Sequence, residues 1–142
     1  MEYTTNQKGL ISELEVMLTF IKLGCNVSQP LNADSRYDCI IDKNGRLYKI
    51  QIKTAHLSTR TKNSIEFKCR SITTSNNEHK ETRYSNNEVD FFATVWEGQV
   101  YLVPIEHCSS SKTLHLDEKP IKPNQSFSYA QDYILSEVIQ TL

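Results

Sequence analysis

The sequence predicts one α/β domain, and three features carry that prediction. A helical period runs from about Gln7 to Leu23, two strands meet at Asn44-Gly45, and two more strand-like runs meet at Glu97-Gly98. The 142 residues suffice to bury one compact core and are short for two, so residues 1–142 are expected to form a single domain. With 38% hydrophobic and 23% charged residues, the composition excludes a disordered or fibrous chain.

The first helix is framed by capping oxygens on Thr4, Thr5 and Asn6 and by Gly24, the residue type that commonly ends a helix. At about 100° per residue, Leu10, Ile11, Leu14, Met17, Leu18, Phe20 and Ile21 gather on one side. Ser12, Glu15, Thr19 and Lys22 gather on the other. Glu13 breaks the pattern: it projects between Met17 and Phe20, inside the apolar arc, where an ionised carboxylate is costly without a partner.

From Tyr37 to Lys53 the chain reads as a hairpin, because Asn-Gly supplies the two positive-φ residues of a tight two-residue turn. Pairing Lys43 with Arg46 and counting outward sets Ile41 opposite Tyr48, Cys39 opposite Ile50 and Asp38 opposite Gln51, with Lys53 on that last face. Opposed Cβ atoms in such a ladder are about 4.5 to 5.5 Å apart, so Asp38, Gln51 and Lys53 should converge. Cys39, Ile41, Tyr48, Ile50 and Ile52 form the other, apolar face, suited to packing on a helix.

A third strand is expected over Ser64 to Ser71, and a mobile polar surface loop over Thr73 to Glu88. Asp90 to Trp96 and Gln99 to Ile105 read as a second hairpin. His107 to Ser128, with Pro120 and Pro123, should be irregular, and Tyr129 to Leu142 has helical spacing.

Cys25, Cys39, Cys69 and Cys108 are widely separated, which predicts reduced thiols rather than a zinc or redox motif, and the four histidines lack paired ligand spacing. The polar start of the chain lacks the order of a secretory signal, and no apolar run reaches bilayer length; a cytoplasmic location and no membrane partner are the expectation. Net charge is −1, yet between Lys43 and Arg70 eight basic residues face Glu66 alone. Such a cluster is either a solvated strand edge or a surface for a polyanion. On the second reading Arg60, Lys62, Lys68 and Arg70, with Arg83 in the polar tract, are candidate phosphate contacts.

Taken singly, Glu13, Asp38, Gln51 and Lys53 each have an ordinary structural explanation. Helix phase and hairpin register, worked out independently, bring them together. Here the chain resembles the PD-(D/E)XK nuclease superfamily, in particular the group I intron-associated homing endonucleases and their bacterial relatives, with archaeal Holliday junction resolvases further off. Lys8-Gly9-Leu10-Ile11-Ser12-Glu13, Arg36-Tyr37-Asp38 and Gln51-Ile52-Lys53-Thr54 carry the resemblance, supported by Asp90-Phe91-Phe92-Ala93 and Tyr101-Leu102-Val103-Pro104-Ile105. It implies a restriction endonuclease-like α/β core, a mixed β-sheet flanked by helices.

The resemblance also implies an activity: magnesium-dependent endonucleolytic hydrolysis of phosphodiester bonds in double-stranded DNA, of the homing, site-specific type. Asp38, the Gln51 side-chain oxygen, the Ile52 carbonyl and Glu13, directly or through water, would hold Mg2+, with Mn2+ able to substitute. Lys53 would orient the attacking water and stabilise the pentavalent phosphate, leaving a 5′-phosphate and a 3′-hydroxyl. Two departures stand out: no proline precedes Asp38, and Gln51 replaces the usual acidic residue. The second admits an alternative, a catalytically silent DNA-binding or interaction protein on a nuclease scaffold. A third reading is a structure-specific nuclease acting on junctions or in repair. Cutting both strands needs two sites related by symmetry, which predicts a homo-oligomer, dimer or tetramer. Phe127, Tyr129, Tyr133 and Ile134 would serve such an interface or complete the core.

Overall fold

The computed structural model describes the backbone of residues 1–142 and the side chains of all of them except residues 72–75. It begins with helix α1 (Thr5–Lys22), capped by Thr4, whose hydroxyl accepts the Gln7 N–H while the Gln7 side chain accepts the Thr4 N–H. Gly24 follows the helix at φ 89°, the conformation that favours glycine after a C-cap. The phase of α1 differs from expectation. Ser12, Val16 and Phe20 are buried, whereas Leu10, Leu14, Leu18 and Ile21 remain at least half exposed. The helix is apolar over a wider arc than its neighbours cover. The i, i+4 run of Ser12, Val16 and Phe20 faces the sheet, and the leucine stripe beside it lies in solvent.

A five-stranded sheet then forms from β1 (Asn26–Ser28), β2 (Cys39–Lys43) and β3 (Arg46–Ile52), joined later by β8 (Phe91–Trp96) and β9 (Gln99–Pro104). The order is β1-β2-β3-β8-β9, antiparallel except between β3 and β8, which run parallel; the sheet is therefore mixed, as expected. The register of the first hairpin is the one read from the sequence: Lys43 pairs with Arg46, Ile41 with Tyr48 and Cys39 with Ile50. Asn44 and Gly45 take the positive φ values, 54° and 86°, that such a turn demands. The second hairpin turns the same way through Glu97 and Gly98.

Between these strands lie β4 (His56–Leu57), β5 (Ser64–Lys68), β6 (Arg70–Ser75) and β7 (Glu78–Arg83), and after them β10 (Ser111–His115). β10, β5 and β4 form a three-stranded antiparallel sheet; β6 and β7 pair only with each other. Two sequence expectations are corrected here. The tract from Thr73 to Glu88 is not a loop throughout: its first part belongs to a hairpin, since Asn76 and Asn77 adopt φ 50° and 63° and close a two-residue turn. Nor is His107 to Ser128 irregular throughout, because Ser111–His115 finds a partner strand in β5, a long-range pairing that local composition does not reveal.

The C-terminal segment is a third correction. In place of one helix it forms a 3-10 turn (Ala130–Tyr133), a short α2 (Leu135–Val138) and another 3-10 turn (Ile139–Thr141). Ile134 interrupts them in extended conformation, bridging to Tyr101 at the edge of β9. Tyr129 is buried and Tyr133 and Ile134 pack on the core, so these three complete the interior, whereas Phe127 stacks on His115 at 4.0 Å and stays exposed.

Two cores lie on opposite faces of the main sheet. One joins Val16 and Phe20 of α1 and Leu135 and Ile139 of the C-terminal turns to Cys39, Ile41, Ile50 and Ile52. The other joins Phe92, Tyr101 and Val103 to Ile65, Phe67 and Leu114 of the small sheet. Helices thus cover one face of the mixed sheet and a second sheet covers the other. No helix among the described residues is long and apolar enough to cross a membrane.

Candidate active site

Asp38 stands one residue before β2, opposite Gln51. Its N–H donates to the Ile50 carbonyl at 2.8 Å, and its Oδ2 accepts the Ile52 N–H at 2.7 Å. A carboxylate therefore continues the ladder where a backbone carbonyl would otherwise serve, which fixes its direction. Gln51 is half-buried in β3 with its backbone beside Phe92 of β8. Lys53 follows the strand; its N–H donates to Ala93 O at 2.9 Å, and the buried Thr94 hydroxyl donates to its carbonyl at 2.6 Å. The backbone on both sides of Asp38, Gln51 and Lys53 is thus held by neighbouring strands.

Glu13 comes from α1 and sits half-buried within electrostatic range of Asp38. Burial first, and the Asp38 charge second, push its carboxyl above the ordinary value. Burial pushes Asp38 up as well, against the opposing pull of the Ile52 N–H and the Lys53 ammonium. Burial beside both carboxylates drives the Cys39 thiol up to about 12, so Cys39 is a neutral core group. Two carboxylates whose ionised forms are both disfavoured suit a hard divalent cation, whose charge offsets that cost. With the Gln51 amide oxygen they make an oxygen-donor set. Among the described residues no three His, Cys, Asp or Glu side chains gather as a metal site, so any cation here rests on this amide and on main-chain or water oxygens besides the acids.

The Lys53 ammonium, within electrostatic reach of Asp38, donates to Arg70 O at 3.4 Å and the Tyr84 hydroxyl at 3.3 Å. Tyr84 was not singled out in the sequence, although it is the one aromatic of the polar tract from Thr73 to Glu88. It packs edge-on against Phe92 and lies under Arg36, whose guanidinium is 3.9 Å from the ring centroid. Arg36, two residues before Asp38, also pairs with Glu88 at 2.9 Å and donates to Ser71 Oγ at 2.9 Å and Arg83 O at 3.2 Å. Asp90, which opens the Asp90-Phe91-Phe92-Ala93 run, has a role the sequence did not assign: its carboxylate accepts the Lys49 N–H at 2.8 Å at the start of the parallel pairing of β3 with β8.

The basic cluster divides. Lys43 donates to the Ile139 and Leu142 carbonyls and Lys49 to the Asn87 carbonyl, so both tie the fold together. Arg70 donates to Ser110 O at 2.7 Å and Ser111 Oγ at 3.1 Å, and its Nε stands 3.0 Å from Glu81 in an ion pair outside hydrogen-bond alignment. That leaves little of its guanidinium for a phosphate. Arg60, Lys62, Lys68 and Arg83 are exposed. Lys68 lines, with Lys53, Thr54, His56 and Ser71, a cleft of about 600 Å³ at the end of β3.

This arrangement agrees with what similarity to known proteins reveals. A search of curated proteins finds no match to the sequence. Among solved structures, a bacterial homing endonuclease superimposes with a TM-score of 0.78 at 24% identity, over 97% of this chain and 93% of its own, a likeness of fold. The family model of the PD-(D/E)XK endonucleases matches residues 3–136, a span that takes in Glu13, Asp38, Gln51 and Lys53 and every buried core residue around them except Ile139. With nearly its whole length matched, the chain belongs to the PD-(D/E)XK endonuclease family.

Proposed function

We propose that the protein is a metal-dependent endodeoxyribonuclease that hydrolyses phosphodiester bonds in double-stranded DNA, with Mg2+ as its ion and Mn2+ as a substitute. The observation that carries the reading is the pairing of two half-buried carboxylates, Glu13 and Asp38, with Lys53 on the face that Asp38 shares with Gln51. Glu13, Asp38, Gln51 and the Ile52 carbonyl would hold the cation. When bound, it supplies Lewis acidity toward the scissile phosphate and an acidified water. Asp38, held by the Ile52 N–H, keeps its free oxygen in a constant direction. Lys53 swings from Arg70 O and Tyr84 to face the phosphate and balances its growing negative charge. Arg60, Lys62, Lys68 and Arg83 hold the flanking backbone. Site-specific cutting of the homing type is part of the proposal, supported by the likeness of fold to a homing endonuclease.

The protein is further proposed to work as a homo-oligomer in the cytoplasm, two copies cutting the two strands. The uncovered stripe of Leu10, Leu14, Leu18 and Ile21 supports this, since contiguous exposed apolar surface marks an interaction site.

Plasmid DNA incubated with the protein in Mg2+, in Mn2+ and in EDTA tests the reading. Nicking or linearisation in either metal, absent in EDTA and abolished by Asp38→Ala and by Lys53→Ala, is the expected result. A wild type that binds the plasmid and never cuts it would instead make Gln51 the mark of a silent DNA-binding scaffold. Cutting only of branched or mismatched DNA would make the enzyme structure-specific.

A further inference from the structure

Beyond its root, where Arg83 is assigned to the DNA backbone, the hairpin of β6 and β7 is a part of the fold that the hydrolytic site does not use. Its strands pair from Arg70–Arg83 to Ser75–Glu78 and with no other strand, and every residue of β7 is exposed. A lone two-stranded ribbon is marginal in water, and this one takes no ladder bonds from the other sheets. Its root, however, is tied to the candidate site at several points. Lys53 donates to Arg70 O and Tyr84; Arg36 donates to Ser71 Oγ and Arg83 O; Arg70 pairs with Glu81 across the ribbon.

We propose that this ribbon is a base-reading arm that lies in the major groove of the duplex held at Asp38 and Lys53. The inference rests on the nuclease reading above. Dimensions support it, because the B-DNA major groove, about 12 Å wide, admits a two-stranded β-ribbon. Six residues at about 3.3 Å each give an arm of about 20 Å, which covers about six base pairs at roughly 3.4 Å per step. The arm starts one hydrogen bond from Lys53, so the base pairs it reads lie within about six of the scissile phosphate.

Charge also points to reading over gripping. β7 carries Lys80 and Arg83 against Glu78 and Glu81, a balanced set with little attraction for phosphates as a whole. Side chains alternate along the strand, with Lys80 and Thr82 on one face and Glu81 and Arg83 on the other. Such a mixture of donors and acceptors is what discrimination between base edges requires.

The test compares the wild type with Lys80→Ala and with the double variant Lys80→Ala, Thr82→Ala, both exposed positions whose loss leaves the melting temperature unchanged. Each protein cuts a plasmid library carrying randomised sequence, and the cleaved ends are sequenced. The expected result is a loss of preference, about tenfold per affected base pair, confined to positions within about six of the cut. The rate on non-preferred DNA and the slope of log affinity against log salt stay the same. An unchanged sequence profile overturns the proposal, and so does a shallower salt slope with the profile intact, which would make the arm a phosphate clamp. Methylation protection at guanine N7 in Ca2+ reads the major groove without cleavage. If the wild type never cuts, the nuclease reading falls, yet protection lost in Lys80→Ala still upholds the arm. Protection equal in both proteins overturns it.

Discussion

The Oδ2 of Asp38 accepts the Ile52 N–H at 2.7 Å, so the candidate metal ligand is also a structural member of the β2–β3 ladder. Removal of the side chain therefore has two effects that need separating. Asp38→Ala leaves a part-buried N–H without its acceptor and should cost about 1–3 kcal/mol of stability. Asp38→Asn keeps an acceptor and loses the charge. Its expected signature is an unchanged fold by circular dichroism, with cutting reduced by more than the ~10- to 100-fold that losing a metal ligand's supporting partner costs. Full activity in Asp38→Asn would remove Asp38 from the metal site.

Gln51 provides an amide oxygen where a third charge would fit. Gln51→Glu should lower the Mg2+ concentration for half-maximal cutting roughly tenfold, since affinity in oxygen sites rises with ligand charge. The same change should lower the melting temperature of the metal-free protein, because a third carboxylate joins two whose ionised forms burial already disfavours. Thermal melts with and without Mg2+ measure both effects, and equal melting temperatures of the two metal-free proteins would contradict the second.

Stability against pH follows from Glu13. Its carboxyl is raised in the folded chain by burial and by Asp38, so the folded state binds its proton more readily than the unfolded state does. The ionised group therefore weakens the metal-free fold at neutral pH. That penalty fades as pH falls through the raised folded value toward the ordinary value of 4.5. Glu13→Gln should melt higher than the wild type at pH 7 without metal, and the gap should close by about pH 4. A gap independent of pH would assign the effect to packing.

Arg70 and the pair Arg60 and Lys62 should behave in opposite ways. Arg70→Ala breaks the bonds to Ser110 O and Ser111 Oγ and should cost about 1–3 kcal/mol of stability, read by urea denaturation. Arg60→Ala and Lys62→Ala should leave stability alone and each reduce the salt slope of DNA binding by about 1. A stable Arg70→Ala with a shallower slope would return Arg70 to the phosphate contacts.

The exposed stripe of α1 makes a prediction about mass. Sedimentation should find the wild type at a multiple of 16.4 kDa, and Leu14→Glu with Leu18→Glu at 16.4 kDa with no loss of helix signal. A wild type that sediments as a single chain would leave the stripe without a second copy.

What was legible in the sequence was local. Asn44-Gly45 determined the register that sets Asp38 against Gln51, and Glu97-Gly98 did the same for β8 and β9, because a two-residue turn permits one pairing. Glu13 stood out because a carboxylate broke an apolar arc. The phase of α1 was less legible, since apolar periodicity reveals an arc and the sheet decides which part of it is covered. β10 escaped because its partner β5 lies far back in the chain. Tyr84 escaped, as did the contacts of Arg36 and Asp90 within the motifs that contain them, for a related reason: each acts through a contact between distant segments, and neither spacing nor residue type signals such a contact.

The parallel pairing of β3 with β8 sets an order of events on the ribosome. The β2–β3 hairpin is local and closes within about 1–10 μs of emerging. Its neighbour arrives late, because Asp90 and Thr94 each grip a residue 41 positions earlier in the chain. At roughly 5–20 residues per second, a gap of that length lasts about 2–8 s. During it the nascent chain already holds Glu13, Asp38, Gln51 and Lys53, yet the edge of β3 is open and the backbone around Lys53 lacks both of its partners from β8. Synthesis stopped before Asp90 would release a fragment with every candidate catalytic residue and no assembled centre, its bare strand edge a target for chaperones.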